Sequence, residues 1–175
     1  MSFSRDRDQL HHDPTHPWPA FRSCDDAAGT SARASETGCD LRAPLTFDSV
    51  ADPPGATWAR RVFANWLAID VEDPHRQDIV LAVYEALANA AEHAYADHPD
   101  EAGTMCLTAH RGPDHVRITV ADRGHWRAPT EAPFRSRGLE LMRALMSQVH
   151  LHSYPHGTIV QLRSAVPTSP RTATG

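Results

Sequence analysis

Two polar residues, Glu85 and Asn89, stand four positions apart within an otherwise apolar segment. Side chains four residues apart in an α-helix lie on the same face, one turn above the other. The amide oxygen of an asparagine is a suitable ligand for Mg²⁺, which takes one or two oxygens from protein and the rest from phosphate and water. A carboxylate one turn away can polarise a hydroxyl as a general base. The pair is therefore suited to Mg²⁺-dependent chemistry on a hydroxyl group.

The segment that carries this pair is predicted to be a helix over residues 74–97. A helical wheel separates a broad apolar face from a narrow polar stripe. The apolar face contains Ile79, Val80, Val83, Leu87, Ala90, Ala91 and Ala94. The stripe contains Asp78, Glu85, Asn89 and Glu92, with His93 at its border. Ala82 and Ala86 lie between the two faces, where small side chains would permit the close approach of another element.

The same pattern also fits an ordinary amphipathic helix whose acidic stripe faces water. Asn89 argues mildly for a functional stripe, because asparagine is a poor helix former and is chosen less often for a merely solvated face. Periodicity alone does not separate these two interpretations, so the neighbouring elements have to decide between them.

The predicted elements around this helix follow a defined order. A short strand covers residues 41–47, and a helix follows it, with Asp52-Pro53 as its cap and first-turn proline. The apolar residues that predict this helix by their helical spacing are Val62, Phe63, Trp66, Leu67 and Ile69. Further along come strands over 103–111 and 115–122, a loop over 123–136, a helix over 137–147, and strands over 149–154 and 158–163. This order predicts an α+β fold: a two-layer sandwich of a mixed, mostly antiparallel sheet with helices on one face.

One face of that sheet is expected to be wet. In the strand over 115–122, apolar residues at 116, 118 and 120 alternate with Arg117 and Thr119. Antiparallel sheets commonly pack one face on the core and leave the other in water. We therefore expect Arg117 and Thr119 on a solvent-facing surface.

Composition sets the domain organisation. The chain has 175 residues, of which 41% are hydrophobic and 22% charged, as in ordinary globular proteins. Residues 1–40 show neither a helical nor a strand period and are predicted to form a disordered arm. Residues 41–164 are predicted to form one domain, and residues 165–175 a flexible tail.

Charge and hydropathy argue against two classes of partner. The net charge of −5 disfavours broad binding to the phosphates of nucleic acid. No apolar run reaches ~18 residues, so no membrane helix is expected, and the first residues lack the apolar core of a signal peptide. The three cysteines, Cys24, Cys39 and Cys106, are odd in number and lack the spacing of metal ligands. A reducing, cytoplasmic setting is the simplest interpretation.

Residues 84–95, YEALANAAEHAY, resemble the N box of the anti-sigma-factor serine kinases in the GHKL ATPase superfamily. Three further segments resemble boxes of this family, in the expected order. They are Asp122-Arg123-Gly124-His125-Trp126 at a strand end, Arg137-Gly138-Leu139 at a helix start, and Gly157-Thr158 at a strand start. Each segment is common by itself, but four in order are specific. The resemblance covers about residues 41–163 and implies the Bergerat fold of the GHKL ATPases.

The resemblance implies Mg²⁺ and ATP as cofactors and gives each matched residue a role. Asp122 would accept a hydrogen bond from the adenine amino group, which selects adenine over guanine. Gly124 would let the backbone approach the base, and the indole of Trp126 would cover the adenine face. Thr158 would help to fix Asp122 or a water that bridges to adenine.

At the phosphate end, the resemblance implies that Asn89 holds Mg²⁺ and that Glu85 is the general base toward an acceptor serine. Gly138, beside Leu139 in the same box, would offer backbone N–H groups and the positive end of the helix dipole to phosphate. Arg137 would neutralise phosphate charge, and Arg135 would do the same.

Simpler structural roles remain open for several of these residues. Asp122 and Gly124 also fit a turn after a strand. Gly138 also fits a hinge between a loop and a helix. Arg135 and Arg137 also fit solvated surface charges.

Two functions follow from these features. The first is a Mg-ATP-dependent serine kinase that phosphorylates an anti-sigma antagonist of the STAS type and sequesters a sigma factor, with a homodimer expected from its relatives. The second is a slow or non-catalytic nucleotide-binding module that regulates a partner protein by holding it. Trp126 and Ser136, which replace glycines of the two boxes, and the short lid between them motivate this alternative. A histidine-kinase catalytic domain is disfavoured, because the N box has the anti-sigma form.

Overall fold

The computed structural model describes residues 43–93, 103–124, 137–154 and 157–166. Within these ranges the chain forms strands β1 (Leu45–Val50), β2 (Thr104–Arg111), β3 (His115–Asp122), β4 (Gln148–Tyr154) and β5 (Gly157–Ala165), and helices α1 (Pro53–Leu67), α2 (His75–His93) and α3 (Arg137–Leu145). The described strands form one sheet in the order β1-β2-β3-β5-β4, and every neighbouring pair is antiparallel. The α+β class is confirmed, although the sheet, expected to be mixed, is wholly antiparallel among these strands.

The register of the sheet separates two faces. Because side chains alternate along a strand, Leu107, Val120, Val160 and Leu151 fall in one row across four strands. These residues point toward the helices, since they belong to the same hydrophobic cluster as the buried side chains of the helix layer. The largest helical members of that cluster are Phe63, Leu67, Ile79, Leu87 and Met142. We call this face of the sheet the inner face.

Helix α1 begins where the sequence predicts. Asp52 is its N-cap, and its Oδ1 accepts a hydrogen bond from the backbone N–H of Gly55 at 2.6 Å. Gly55 is required by space, because a Cβ there would lie 2.2 Å from the carbonyl oxygen of Val50. The inclusion of Ile69 in this helix is wrong. The helix ends at Leu67, and Ile69 is 74% exposed in the turn beyond it.

Helix α2 lies at the centre of the helix layer, in contact with α1, α3 and the strands β2, β3 and β5. Its predicted apolar face is confirmed. Ala82 and Ala86, expected at the border between faces, are fully buried in the core. Small side chains at these positions permit close contact with the neighbouring elements. The described helix ends at His93, so residues 94–97 of the predicted helix lie outside the described residues.

On the second face of the sheet, the central strands β2 and β3 differ from the expectation of a wet surface, whereas Asp48 and Val50 on the edge strand β1 are exposed. Thr119 of β3 is 6% exposed, and Thr108, opposite it on β2, is 2% exposed. Next to them Cys106, Ala121 and Ile159 form a small buried cluster of their own. Cys106 is disulfide-bonded, which the reasoning from cysteine number did not predict. We call this face, centred on Thr108, Thr119 and the Cys106 cluster, the outer face.

Several predicted features lie outside the described residues. They are the arm over 1–40, residues 167–175 of the predicted tail, and the loop residues Trp126, Arg135 and Ser136. The first two residues predicted for the tail are described: Ala165 is the last residue of β5, and Val166 is buried. Within the described ranges, no helix combines the length and apolar character that crossing a lipid bilayer requires.

Replacement of Asp52 by alanine tests the cap of α1. We expect Asp52→Ala to lower the free energy of unfolding by about 1 kcal/mol, because the N–H of Gly55 loses its acceptor. Asp52→Asn is the matched control and should retain most of the stability, since asparagine caps helices as well as aspartate does. Urea denaturation measures both. An equal loss in the two variants would contradict a role for the capping hydrogen bond.

Candidate functional site

The first part of the site forms where the start of α3 meets the polar stripe of α2. A Cβ built on Gly138 would lie 3.0 Å from Oε2 of Glu85, 3.7 Å from Nδ2 of Asn89 and 3.8 Å from Oδ1 of Asn89. Gly138 is the second residue of α3, so the first turn of that helix, which carries the positive end of its dipole, lies beside Glu85 and Asn89. The three residues predicted to act at the phosphates are therefore neighbours, although 49 residues separate Asn89 from Gly138 in the chain (138 − 89).

The second part of the site forms at the end of β3. Asp122 stands opposite Met105 of β2 and Thr158 of β5 on the inner face of the sheet. Its carboxylate Oδ1 accepts a hydrogen bond from the backbone N–H of Gly124 at 2.8 Å. Thr158 also donates a backbone hydrogen bond to this carboxylate. Three of the four residues predicted to recognise adenine thus lie together at one end of the strand.

Burial controls the charge of Asp122. Its side chain is largely removed from water, and this desolvation raises its pKa from 3.8 to about 7. The hydrogen bonds from Gly124 and Thr158 act in the opposite direction, because they stabilise the ionised form. A buried carboxyl group with a strongly shifted pKa is a common property of binding sites.

The two parts are joined by the packing of the helix layer on the sheet. Helix α2 contacts β3 and β5, the strands that carry Asp122 and Thr158, and it also contacts α3, which carries Gly138. The inner face of the sheet is the face that α2 covers. One helix therefore connects the buried carboxyl group with the polar stripe.

Comparison with known proteins agrees with this geometry. Residues 50–164, more than half of the chain, match the family of the histidine kinase-like ATPase domain. The chain belongs to this family. The match covers every described element except β1, of which it includes only Val50, and Ala165 at the end of β5.

Two individual proteins are similar to this chain. The serine-protein kinase RsbW of Halalkalibacterium halodurans is 43% identical over 61 residues, which make up 35% of this chain and 34% of the relative. The crystal structure of the RsbU and RsbW domains of Rv1364c from Mycobacterium tuberculosis is 29% identical, with a TM-score of 0.59, and covers 73% of this chain. The chain matches 34% of the length of each of these two proteins.

The remaining predicted residues of the ATPase domain have mixed positions. Leu139 is half-buried and packs against the hydrophobic core, while Arg137 is exposed at the start of α3. Trp126, predicted to cover adenine, and Arg135 lie outside the described residues. The assignments of these four residues to nucleotide binding stay predictions.

Reasoning from the sequence missed Met105. This side chain is buried on the inner face and stands directly opposite Asp122. An apolar neighbour contributes to the desolvation that raises the pKa of the carboxyl group. The sequence predicts a hairpin between residues 103 and 122, but it does not give the register of the two strands. Without the register, Met105 could not be paired with Asp122.

The donor atoms of the first part fit a magnesium ion. Glu85 and Asn89 present carboxylate and amide oxygens, the hard ligands that Mg²⁺ prefers. In the described part of the chain no group of three or more His, Cys, Asp or Glu residues is placed to hold a metal. A Mg²⁺ ion held by Asn89 does not require such a group, since phosphate and water supply the other ligands.

The raised pKa of Asp122 predicts how stability depends on pH. Because the folded-state pKa is about 7 and the reference value is 3.8, the protonated carboxyl group stabilises the fold. This contribution is fully present below about pH 4 and is lost as the pH rises to about 7. The difference in unfolding free energy between Asp122→Asn and the wild type should grow in this range, by up to about 1.4 kcal/mol per pH unit.

Urea denaturation between pH 4 and pH 9 measures this difference. The amide has nearly the shape of the protonated acid and does not titrate, so it isolates the contribution of one group. Above about pH 8 the two curves should run parallel. Parallel curves over the whole range would show that the pKa of Asp122 is not raised.

Proposed function

We propose that this chain binds Mg-ATP and transfers its terminal phosphoryl group to a serine hydroxyl of a partner protein. The contact of Gly138 with Glu85 and Asn89 carries the proposal. A carboxylate, an amide oxygen and the N-terminus of a helix lie within one small region, which supports their assignment as general base, cation ligand and phosphate site. These are the groups that phosphoryl transfer requires for activating the acceptor and for balancing phosphate charge.

Adenine recognition is assigned to the end of β3. The amino group of adenine donates hydrogen bonds, and the carboxylate of Asp122 accepts them. Because that carboxylate is buried, a ligand that left it unpaired would pay the full cost of desolvation. A guanine base presents a carbonyl oxygen at the corresponding position and is disfavoured. Gly124, whose N–H holds the carboxylate in place, brings backbone atoms close to the base.

Phosphate binding is assigned to the start of α3. The first backbone N–H groups of a helix have no partner within the helix and bind anions. Gly138 leaves room there because it carries no Cβ, and Arg137 beside it adds a positive charge. The amide oxygen of Asn89 would hold Mg²⁺, which would supply positive charge to the phosphates. Glu85 orients the acceptor hydroxyl and takes its proton.

The acceptor in this proposal is an anti-sigma antagonist of the STAS type, and the chain also sequesters a sigma factor in the cytoplasm. The similarity to a protein named serine-protein kinase RsbW supports a serine acceptor. A homodimer belongs to the same proposal.

A second candidate function is a nucleotide-binding module that holds a partner and transfers phosphate slowly or not at all. Trp126 and Ser136 favour it, because they stand where glycines would let the backbone approach the nucleotide. Both candidates require the same bound nucleotide. They differ in whether Glu85 acts on an acceptor.

The substitution Glu85→Gln separates the two candidates. For the kinase, we expect ATP affinity to change little and phosphoryl transfer to fall by about 10²–10⁴-fold, because the amide cannot accept the proton. Calorimetry measures binding, and transfer of labelled phosphate from Mg-ATP to candidate antagonists measures activity. Glu72→Gln, an exposed glutamate that precedes α2, is the matched control and should leave both unchanged.

Two results would decide against the kinase. If the wild type binds ATP and labels none of the antagonists, the nucleotide-binding module is the better description. If antagonists are labelled equally by wild type and Glu85→Gln, another residue is the base. Absence of ATP binding in the wild type would contradict both candidate functions.

The substitution Gly138→Ala tests the approach of α3 to α2. The new Cβ would press on the Glu85 carboxylate at 3.0 Å, so we expect nucleotide affinity to fall about tenfold through displacement of the phosphate-binding region. Stability should not fall, since alanine favours a helix over glycine by up to ~1 kcal/mol. The double variant Glu85→Ala/Gly138→Ala removes the crowded carboxylate. Its affinity should equal that of Glu85→Ala; a further tenfold loss would contradict the crowding.

A further inference from the structure

Among the described residues, the buried carboxyl group of Asp122 is held by neutral partners. Met105 and Thr158 stand opposite it on the neighbouring strands. Its two hydrogen bonds come from the backbone N–H groups of Gly124 and Thr158. A cation beside a buried carboxylate would keep it ionised, whereas neutral donors offset only part of the cost of burying the charge. Asp122 can therefore take up a proton without breaking an ion pair.

No charge on the surrounding elements, as far as they are described, fixes the ionisation of Asp122. Desolvation and the two backbone hydrogen bonds together give its pKa of about 7, with no contribution from a charged residue. The titratable residues carried by the surrounding elements are Glu85, Glu92 and His93 on α2, Arg137 and Glu140 on α3, Tyr154 on β4, and Arg123, which follows Asp122 in the chain. Near neutral pH the carboxyl group is thus present in both of its forms.

The two forms offer opposite hydrogen bonds to a ligand. An ionised carboxylate only accepts, at about four sites, and the N–H groups of Gly124 and Thr158 use two of them. A protonated carboxyl group carries one O–H donor. Because the Gly124 N–H occupies Oδ1, the proton belongs on Oδ2, which is also the oxygen left for a ligand. The same atom therefore accepts a hydrogen bond in one form and donates one in the other.

Purine bases differ in the group that such an oxygen would recognise. Adenine carries an amino group at C6, which donates, whereas hypoxanthine and guanine carry a carbonyl oxygen there, which accepts. A buried polar group that meets another of its own kind loses its hydrogen bond to water and gains none. The ionised carboxylate therefore disfavours the 6-oxo group, and the protonated carboxyl group disfavours the 6-amino group.

We propose that a proton and the amino group of adenine compete for Oδ2 of Asp122, so that the ionised site selects 6-aminopurine nucleotides and the protonated site accepts 6-oxopurine nucleotides. Binding of ATP to the protonated form releases the proton to the solvent, and binding of a 6-oxopurine nucleotide to the ionised form takes one up. This inference rests on the adenine recognition in the proposed function. It does not depend on phosphoryl transfer.

The ratio of the Kd of inosine triphosphate (ITP) to the Kd of ATP measures this competition. Both nucleotides carry the same triphosphate, so the titration of the phosphates cancels in the ratio. Lowering the pH weakens ATP binding and strengthens ITP binding, so the ratio falls, by up to about tenfold per pH unit. We expect calorimetry on the full-length chain with Mg²⁺ to show a fall of at least about tenfold between about pH 8 and about pH 6.

Proton counting gives a second measurement on the wild type. Calorimetry in buffers of different ionisation enthalpy yields the number of protons exchanged with each nucleotide. At about pH 7, ATP binding should release about half a proton from Asp122 and ITP binding should take up about half. The difference between the two nucleotides should thus be about one proton. Equal counts would overturn the proposal.

The substitution Asp122→Asn fixes the site in a neutral form. The amide has nearly the shape of the protonated acid and does not titrate, so the ratio should no longer depend on pH. Asp48→Asn makes the same chemical change at an exposed position on the outer face. This matched control should retain the pH dependence of the wild type. If Asp122→Asn binds neither nucleotide, the proton count of the wild type decides.

Three results would contradict the competition. A wild-type ratio that is constant with pH, while ATP is bound, would show that Asp122 does not exchange a proton for the amino group; the proposed function would then stand without this inference. An equal pH dependence in Asp122→Asn would assign the titration to another group. Failure of the wild type to bind ATP at any pH would contradict the proposed function itself, and this inference with it.

Discussion

The rotational setting of helix α2 about its own axis determines the candidate site. Burial of Ile79, Val83 and Leu87 fixes this setting, because turning the helix by one residue would expose side chains worth about 1.5–3 kcal/mol each. With the apolar face held against the sheet, Glu85 and Asn89 have to face the start of α3. Gly138 then allows the two helices to approach. The chemistry of the site is thus a consequence of how the core is packed.

At the end of β3, in contrast, a feature that suits ligand binding lowers the stability of the fold. Burial of Asp122 raises its pKa to about 7, so the ionised form is held in the fold at a cost in stability. Two backbone N–H groups, from Gly124 and Thr158, offset part of this cost. What the fold gains is a preorganised acceptor in a region of low polarity, where a hydrogen bond to a ligand is stronger than in water. Departures from maximal stability at a binding site are common in natural proteins.

The two faces of the sheet show how far burial can be predicted from alternating apolar and polar residues along a strand. Residues 116–120 alternate between apolar and polar side chains, and the apolar positions are in the core as predicted. Of the polar positions, Thr119 is buried too, and Arg117 is half-buried. An alternating pattern shows which side chains can be in contact with water, but not which of them are. Threonine fits a solvated or a buried position of a sheet equally well. The number and spacing of the cysteines likewise did not predict the disulfide of Cys106, because a disulfide requires two cysteines to be close in space and not in sequence.

The sequence by itself determined the features that depend on near neighbours: the cap at Asp52, the apolar face of α2, the hairpin between β2 and β3, and the order of the four boxes. Each of these features depends on residues close to one another in the sequence, because capping hydrogen bonds, helical periodicity and hairpin turns are local. The tertiary structure alone decided that Gly138 contacts Glu85 and that Met105 and Thr158 flank Asp122. These contacts join residues tens of positions apart, and only the packing of the sheet and helices brings them within reach.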